Sequence, residues 1–436
     1  MNRQEGPMPV SARVAKQMTR SDLEQVQLER LQATLNRIRK HVAFYGRMFN
    51  EHGFDPDRFD TLADLGRIPF TTEADLISAY PYGMFCRPLR EVIRVHSTTG
   101  RGEKPIVVGS TEQDLKSGAR LLARIMASYG LGGEDVFQIT LNYGLGTWAF
   151  GFHDAARELG ASTIPTSVGK SERQVRTMRD FGTSCLVATP GYALTLLGTM
   201  ERMGLTPSEL RLKTLLLTGE PWPEGLRERL EDGFQARAFD IYGLSAVSGP
   251  GIAAQCPESL ALHVQEDMFL AEIVDPDSGR AMPPGEWGEL VLTTLAKEAL
   301  PLLRYRTGDR ARFLPDPCPS GHVFRCLDRI DGRVDDMFIV KGINIAPERI
   351  DSLLSGTLGG PVTWEAEIEG FGPGQALILR IGINDSLFFD QMKRQRDLVD
   401  RLRHDFSQWL GVTPVLRLVE PASLQNPFSP RKERNP

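Results

Sequence analysis

The middle of the chain alternates short apolar segments with helix-forming segments, and this alternation constrains the fold more than any other feature. Each apolar segment is short enough for one buried strand and ends in a turn rich in glycine, proline or threonine. Strands that alternate with helices favour a largely parallel sheet with helices on its faces. The fold class is therefore predicted to be α/β. The predicted strands lie at 136–141, 162–164, 185–190 and 214–217, and the predicted helices at 148–159 and 192–200.

A chain of 436 residues is too long for one compact core, which indicates two domains. Residues 1–334 are predicted to form a large domain that begins with an amphipathic helix at 21–45. Residues 335–436 are predicted to form a small α+β domain. Its predicted strands lie at 337–340 and 376–383, and its predicted helices at 347–354 and 389–409.

Composition excludes several classes of protein. The net charge of −5 and the lack of a long basic run argue against nucleic-acid binding. No apolar run approaches the roughly 20 residues of a membrane-spanning helix. The first 20 residues lack an apolar signal core, and the five cysteines are an odd and low number, so we expect a cytoplasmic protein.

The segment 305–309, Tyr-Arg-Thr-Gly-Asp, contains a strong turn signal. Gly308 permits a positive φ and Asp309 can hydrogen-bond its own backbone, so Arg-Thr-Gly-Asp is predicted to be a turn. A Gly-Arg-Val-Asp-Asp element follows at 332–336, and then a short apolar strand and Lys341. Alone, this order is also compatible with a surface turn followed by a hairpin.

The order of these elements resembles the ribose-binding turn and interdomain hinge of adenylate-forming enzymes, in the phenylacetate–CoA ligase-like branch. The resemblance implies that Asp309 holds the ribose hydroxyls of a nucleotide. It also implies that a small C-terminal domain rotates about Asp335 between two half-reactions. The family's fold is a large N-terminal domain of mixed sheets with a mobile α+β lid, and the resemblance favours a homodimer.

Local matches extend the resemblance over nearly the whole chain. The loop at 96–111 resembles the family's phosphate loop, and the strand-loop-helix-strand segment at 135–165 resembles its aryl-pocket element. The turn at 218–222 resembles its adenine turn, and 239–245 its Tyr-Gly-Leu-Ser motif. These matches imply functional residues in three groups. The nucleotide or CoA ligands are Thr98, Thr99, Gly100, Gly219, Glu220, Pro221, Asp240, Ser245, Asp309, Arg329 and Lys341; the acyl-pocket residues are Tyr143, Gly144, Trp148, Phe150, Tyr242 and Gly243; the catalytic residues are His153 and Lys432.

Three departures from the family pattern fall on the adenylation half-reaction. Where the phosphate loop has hydroxyl donors, this chain has Arg-Gly-Glu at 101–103, which places a carboxylate beside the polyphosphate position. Ala246 stands where the family has the glutamate that binds Mg²⁺, and alanine offers no oxygen ligand. Asn435 stands at the position of the family's C-terminal lysine, with Lys432 three residues earlier.

Four residues raise the question of a metal site: Cys256, His263, Cys318 and His322. Thiolate and imidazole groups suit tetrahedral zinc, although such residues also occur as ordinary core or surface residues. Some members of the family hold a structural zinc between similar loops. In those members the fourth ligand is the second cysteine of a Cys-x-Cys pair. This chain has Ser320 at that position, so His322 or Cys326 would have to supply the fourth ligand.

These observations favour an acyltransferase that needs no ATP. It would pass an aryl or acyl group from a coenzyme A thioester to another thiol, such as the phosphopantetheine of an acyl carrier protein, in secondary metabolism. The first alternative is a CoA ligase that uses ATP and Mg²⁺ to form an acyl-AMP. The second is a non-catalytic paralogue that binds acyl-CoA or a carrier.

Overall fold

The computed structural model describes residues 18–98, 104–222, 225–341, 343–383 and 392–424. These residues form two compact units, each with its own hydrophobic core. The larger unit contains the described residues of 1–98 and 106–335, and the smaller unit those of 99–105 and 336–436.

Ten α-helices lie in the described residues, and several begin with side-chain caps. Thr111 caps one of them: its hydroxyl accepts the N–H of Asp114, and the Asp114 carboxylate accepts the N–H of Thr111 in return. The helices are α1 Arg20–His41, α2 Ala43–Glu51, α3 Glu73–Ser78, α4 Glu112–Ser128, α5 Trp148–Glu158, α6 Ser171–Asp180, α7 Pro190–Arg202, α8 Leu226–Phe234, α9 Pro347–Leu358 and α10 Met392–Leu410.

The single helix predicted at 21–45 is wrong, because the structure has two helices there. Val42, between α1 and α2, adopts an extended conformation with φ −118° and ψ 100°. Both helices nevertheless bury one face: Leu31, Leu35 and Ile38 of α1 and Tyr45 of α2 are fully buried. The apolar spacing therefore identified the buried face correctly but not the break.

Eighteen strands lie in the described residues. They are β1 Arg94–Thr98, β2 Ile106–Ser110, β3 Val136–Ile139, β4 Ser162–Pro165, β5 Cys185–Ala188, β6 Thr214–Leu217, β7 Arg237–Leu244, β8 Gly249–Gln255, β9 Leu262–Val264, β10 Phe269–Val274, β11 Gly288–Thr294, β12 Tyr305–Ala311, β13 Cys326–Leu327, β14 Phe338–Val340, β15 Ile343–Ile345, β16 Trp364–Glu369, β17 Ala376–Gly382 and β18 Val415–Val419.

An eight-stranded sheet in the order β13-β9-β8-β7-β6-β5-β3-β4 forms the centre of the larger unit. Strands β3 to β7 pair in parallel, and β7, β8, β9 and β13 pair antiparallel. Phe137, Phe152 and Phe239 are among its largest fully buried side chains. The mixed α/β architecture predicted from the sequence is confirmed.

A three-stranded antiparallel sheet, β10-β11-β12, carries the Tyr-Arg-Thr-Gly-Asp segment. The prediction that Arg-Thr-Gly-Asp is a free turn is wrong, because this segment lies inside β12. Arg306 pairs with Val291 and Arg310 with Glu289, so Leu290 faces the three residues 307–309. The segment is therefore a bulge within a strand. Gly308 does adopt a positive φ of 74°, as the turn prediction expects, but it does so inside the bulge.

The smaller unit contains a β14–β15 hairpin and a mixed sheet of β16, β17 and β18, with α9 and α10. Trp364, Leu379, Leu402 and Phe406 form the centre of its core. Trp364 is fully buried, and its indole N–H donates to the Asp351 carboxylate at 2.5 Å. Among the described helices, none combines the length and apolar character needed to span a bilayer.

Candidate active site

The bulge in β12 places Asp309 in a cluster that we call the ribose-turn cluster: Tyr242, Thr307, Asp309, Arg333 and Asp335. The Tyr242 hydroxyl donates to one carboxylate oxygen of Asp309 at 2.6 Å, and Arg333 Nη1 donates to the other at 2.9 Å. Each oxygen keeps a second lone pair, so ribose hydroxyls can still donate to Asp309. The carboxylate that is predicted to bind the nucleotide is thus held in place from both sides.

Arg333 also holds the proposed hinge residue. Its Nε and Nη2 donate to the two carboxylate oxygens of Asp335 at 2.7 and 2.6 Å, and Nη2 also donates to the Thr307 carbonyl at 3.1 Å. A forked guanidinium can make such a bidentate contact and still bind Asp309. Arg333 therefore joins the ribose turn to the hinge.

Burial and charge oppose each other inside this cluster. Burial raises the pKa of Asp309, while the nearby Arg333 charge and the Tyr242 hydrogen bond lower it. Burial lowers the pKa of Arg333, but the hydrogen bonds to Asp335 and the Asp309 charge outweigh it, so this pKa is raised. Arg333 is therefore the fixed positive charge of the cluster.

Gly308 is required where the cluster is most crowded. A Cβ at this position would lie 2.2 Å from Arg333 Nη2 and 2.5 Å from an Asp335 oxygen. Gly243 has a similar role beside the sheet, because its Cβ would lie 2.1 Å from the Gly249 carbonyl oxygen. The glycine of the Tyr-Gly-Leu-Ser motif thus lets β8 approach β7 closely.

The adenine turn follows β6 and contains Gly219, Glu220 and Pro221. The Glu220 side chain accepts the backbone N–H of Gly191 at 2.6 Å, at the N-terminus of α7. Burial raises the pKa of Glu220, and the Gly191 hydrogen bond opposes this shift. The Glu220 side chain therefore caps a helix.

Asp240 lies on β7, two residues before Tyr242. Burial raises the pKa of Asp240 to about 7, against the opposing charge of Arg227. Arg227 itself donates to Gln255 at 2.8 Å and stacks on the Trp222 ring, 4.5 Å from its centre. A carboxyl that changes charge near neutral pH thus lies beside the predicted adenine turn.

The magnesium position is apolar in this structure. Ala246 is 2% exposed and belongs to the main hydrophobic core. The preceding Ser245 hydroxyl lies 2.9 Å from the Thr147 hydroxyl, which ties the end of β7 to the start of α5. The side chain that would bind the cation in the family pattern is therefore replaced by core packing.

The aryl-pocket element brings three of its predicted residues together. The Tyr143 hydroxyl lies 3.3 Å from Nδ1 of His153, and the Phe150 ring meets the Tyr143 ring edge-on at 5.3 Å. Burial raises the pKa of Tyr143, and the Asp154 charge adds to the shift. Trp148 packs partly buried against the core, and Gly144 is exposed. Tyr143, Phe150 and His153 thus form one wall.

A cavity of about 40 Å³ adjoins this wall. Its lining includes Arg94, His96 and Lys297, and its polar groups also include Asp114 and Asp154. Arg94 pairs with Asp154 at 2.6 Å, and Lys297 donates to the Ser110 hydroxyl at 3.1 Å. One ion pair and one hydrogen bond thus satisfy part of the charged lining of this cavity.

A second group, which we call the Cys/His cluster, consists of Cys256, His263 and Cys318. Their ligand atoms lie within 4.8 Å of one another and all three residues are buried. Among the described residues this is the one group of three or more side chains with metal-ligand chemistry in such an arrangement. The Cys256 and Cys318 sulfurs are 3.4 Å apart, close to the roughly 3.7 Å expected between two sulfurs on one zinc.

The protonation states in this cluster suit a metal. Burial lowers the pKa of His263 to about 4, aided by the neighbouring His322. The ring is therefore neutral, and its Nε2 is a buried atom without a hydrogen-bond partner in the described part of the chain. Burial raises the pKa of Cys318. The hydrogen bonds to this thiol, first of all those from Ser320, together outweigh burial, so the pKa lies below its usual value. An orphaned imidazole nitrogen beside two thiols fits zinc.

Several other predicted ligands are not members of these groups, or lie outside the described residues. Thr98 ends β1, and Arg329 is exposed with Asp331 3.8 Å away. Lys341 is exposed beside the β14–β15 strand pair and has a φ of 51°. The remaining predicted ligands, Thr99, Gly100 and Lys432, and the departures at 101–103 and 435, lie outside the described residues.

Sequence reasoning missed the roles of Arg333, Arg94 and His96. Arg333 was visible in the Gly-Arg-Val-Asp-Asp element, but its partners come from two other segments of the chain. Arg94 precedes the phosphate loop and His96 is the first residue of that loop. Both lie near the Phe150 ring, at 5.2 and 5.6 Å. The available signal was the alternate spacing of Arg94 and His96 on one strand, since residues at i and i+2 of a strand lie on the same face of the sheet.

Comparison with known proteins identifies the family. No protein-family model matches the chain. The phenylacetate–coenzyme A ligase of Aromatoleum evansii is 36% identical over 421 residues, which are 96% of this chain and 95% of that enzyme. The chain belongs to the phenylacetate–CoA ligase family. The phenylacetate–coenzyme A ligase of Thermus thermophilus is 41% identical over 77% of this chain and 76% of that enzyme. The one from Escherichia coli is 35% identical over 92% of this chain and 92% of that enzyme.

Solved structures agree with membership of the phenylacetate–CoA ligase family. A 2-hydroxyisobutyryl-CoA ligase, in complex with its acyl-AMP and CoA in the thioesterification state, has a TM-score of 0.90 at 27% identity. The match covers 99% of this chain and 93% of that one. The amide bond synthetase McbA from Marinactinospora thermotolerans shares the fold, with a TM-score of 0.59 at 17% identity over 76% of this chain and 66% of that one. The chain therefore has the adenylate-forming CoA ligase fold.

Proposed function

We propose that this CoA ligase family member transfers an aryl or acyl group from a coenzyme A thioester to a second thiol without using ATP. The observation that carries the proposal is Ala246. It replaces the family's metal-binding glutamate and is buried in the core, 2% exposed. Adenylyl transfer depends on charge stabilisation, and loss of one such group costs on the order of a hundredfold or more. Thiol acylation does not need a metal at that position.

His153 is the residue that we assign to proton transfer in this reaction. In the tautomer that this step needs, Nδ1–H donates to the Tyr143 hydroxyl oxygen 3.3 Å away, which orients the ring. The unprotonated Nε2 then takes the proton of the accepting thiol. The resulting thiolate forms a C–S bond to the acyl carbon. The C–S bond to CoA breaks, and the CoA thiolate recovers the proton from His153. A phosphopantetheine on a carrier protein is the acceptor that we expect.

Intact-mass analysis tests the transfer. The protein is incubated with aryl-CoA compounds and a phosphopantetheinylated carrier, with and without MgATP. We expect acylated carrier in both conditions and no pyrophosphate exchange with aryl acids. Robust exchange with an aryl acid and MgATP would overturn the proposal. His153→Ala should lower transfer on the order of a hundredfold, and Tyr143→Phe by less.

Position 246 offers a gain-of-function test with a matched control. Ala246→Glu restores a carboxylate where the family has one, and Ala246→Gln has nearly the same size without the charge. If the missing metal ligand limits adenylation, the glutamate variant gains Mg²⁺-dependent exchange on the order of tenfold or more, and the glutamine variant gains none. Equal exchange in the two variants would contradict the role given to position 246.

A second candidate function is an ATP-dependent acyl- or aryl-CoA ligase. Two observations favour it: the Tyr242–Asp309 pair of the ribose turn is intact at 2.6 Å, and the relatives are ligases by name. The same pyrophosphate measurement separates the two candidates. Under the ligase alternative the wild-type protein forms acyl-CoA from acid, CoA and MgATP, and omission of ATP abolishes product.

We also propose that the Cys/His cluster holds a structural zinc ion. Support comes from three buried ligand groups within 4.8 Å and from the unpartnered Nε2 of His263. Zinc held by thiolate and imidazole ligands would tie the loops of the larger unit together without taking part in the chemistry. Elemental analysis of the purified protein should find about one zinc per chain. A protein free of metal after purification in zinc-containing buffer would contradict the assignment.

A further inference from the structure

Tetrahedral zinc needs a fourth ligand beside Cys256, His263 and Cys318. Structural zinc sites are closed by protein groups, which are normally thiolates, imidazoles or carboxylates. Three positions near Cys318 in the sequence carry side chains that are candidates for the fourth ligand. They are Ser320, His322 and Cys326.

Ser320 is excluded by its chemistry. A neutral serine hydroxyl is not among the usual zinc ligands. In this structure it acts as a hydrogen-bond donor, with its oxygen 3.2 Å from the Cys318 sulfur. Donation to a thiolate stabilises a metal-binding sulfur from outside the coordination sphere, so Ser320 supports a ligand and does not replace one.

His322 is excluded by the use of its lone pair. Its Nδ1 accepts the backbone N–H of Phe324 at 3.2 Å. A neutral imidazole has one acceptor nitrogen, so Nε2 then carries the proton and has no lone pair for a metal. This hydrogen bond favours a supporting role for His322 over the ligand role predicted from the sequence. His322 instead lies against His263, with ring centres 5.0 Å apart.

Strand pairing and burial place Cys326 beside the Cys/His cluster. It opens β13, and it is the antiparallel partner of His263 on β9. Residues directly opposite on antiparallel strands project to the same face of the sheet, with Cβ atoms about 5 Å apart. Cys326 is 4% exposed and belongs to the same small buried cluster as Cys256 and Cys318. Its thiol thus faces the group from the strand next to His263.

We infer that Cys326 is the fourth zinc ligand, which gives a Cys₃His site. The inference rests on the zinc site proposed above. In this chain the fourth thiolate has moved from the loop position 320 to strand β13. The ligand is then carried by a sheet strand whose register with His263 fixes its position.

Four full-length proteins test the assignment: wild type, Cys326→Ser, His322→Ala and the double variant Ser320→Cys/Cys326→Ser. Each is measured for zinc content and for the rate at which a chelator removes zinc. Each is also reconstituted with Co²⁺, whose thiolate charge-transfer absorption reports the number of bound sulfurs. Circular dichroism confirms that each protein is folded.

We expect Cys326→Ser to lose zinc at least about tenfold faster than wild type, since one ligand is gone. Its Co²⁺ charge-transfer band should fall by about one third, because two thiolates remain of three. His322→Ala should keep the wild-type rate and band. Ser320→Cys/Cys326→Ser should regain both, which also shows that any loss in the single variant is not misfolding.

Three outcomes overturn the inference. Cys326→Ser with the wild-type band and rate would exclude Cys326. Loss of zinc in His322→Ala, with retention in Cys326→Ser, would assign the fourth position to His322. If the wild-type protein contains no zinc, the proposed zinc site itself is contradicted. This outcome can be told from the first two because it is measured on the wild-type protein alone.

Discussion

The ribose-turn cluster and the Cys/His cluster both bury polar groups, but they differ in how far the protein satisfies them. In the ribose-turn cluster Asp309 has hydrogen bonds from Tyr242 and Arg333, and Arg333 also binds Asp335 on two atoms. In the Cys/His cluster the Nε2 of His263 is buried and has no hydrogen-bond partner among the described residues.

The number of satisfied hydrogen bonds distinguishes a cluster that the protein stabilises by itself from a cluster that needs a ligand. Unpaired buried polar atoms cost free energy, so a site with an orphaned atom is complete only when something binds there. By this criterion the ribose-turn cluster is held together by its own hydrogen bonds. The Cys/His cluster retains an unsatisfied buried nitrogen, which is consistent with the zinc proposed there.

The sharpest test of the completed cluster removes its central cation. Arg333→Met leaves the buried Asp309 and the partly buried Asp335 without their guanidinium, and we expect a loss of about 3–5 kcal/mol in the free energy of unfolding. The matched control is Arg310→Met, whose partner Asp331 lies 2.7 Å away in an ion pair with side chains 43% and 34% exposed. It should cost at most about 1 kcal/mol. Equal losses in urea denaturation would show that the cluster contributes no more than a surface pair.

A steric test of the same cluster compares two glycines with positive φ. Gly308→Ala places a methyl group 2.2 Å from Arg333 Nη2, whereas Gly332→Ala, at φ 84°, meets no atom within 4 Å. Both variants pay the left-handed backbone strain, about 1–2 kcal/mol. We expect Gly308→Ala to lose about 3 kcal/mol in total in urea denaturation, because Arg333 must also move. Similar losses at both positions would mean that the contact with Arg333 is unimportant.

The sequence could predict the order of elements but not the partners of these clusters. Strand and helix segments of the larger unit follow from local apolar spacing, which is why the α/β architecture could be predicted. The bulge at 307–309 could not, because pairing with β11 decides it. The spacing of Cys318, His322 and Cys326 likewise gives no face or register. Only the pairing of β13 with β9 places Cys326 opposite His263.

The incomplete cluster should respond to metal and the completed cluster should not. In zinc-free protein, His263→Leu removes an unsatisfied buried nitrogen, and we expect a change within about 1 kcal/mol. Wild type should gain about 2.7 kcal/mol at a zinc concentration 100 times the dissociation constant, and His263→Leu should gain none. Urea denaturation with and without zinc measures both. The control His404→Leu, at an exposed position, should respond as wild type does. A large loss in zinc-free His263→Leu would show that this cluster, too, is complete by itself.

A pH titration extends the comparison to Asp240, a partly buried carboxyl on β7. Burial raises the pKa of Asp240 from 3.8 to about 7, so between these values the folded state binds a proton that the unfolded state releases. The free energy of unfolding should therefore fall as pH rises through this window, by up to about 1.4 kcal/mol per pH unit. Asp240→Asn should remove that contribution in urea denaturation at a series of pH values, whereas the exposed control Asp232→Asn should not. An unchanged slope in Asp240→Asn would mean that Asp240 is ionised when folded and is compensated as fully as Asp309.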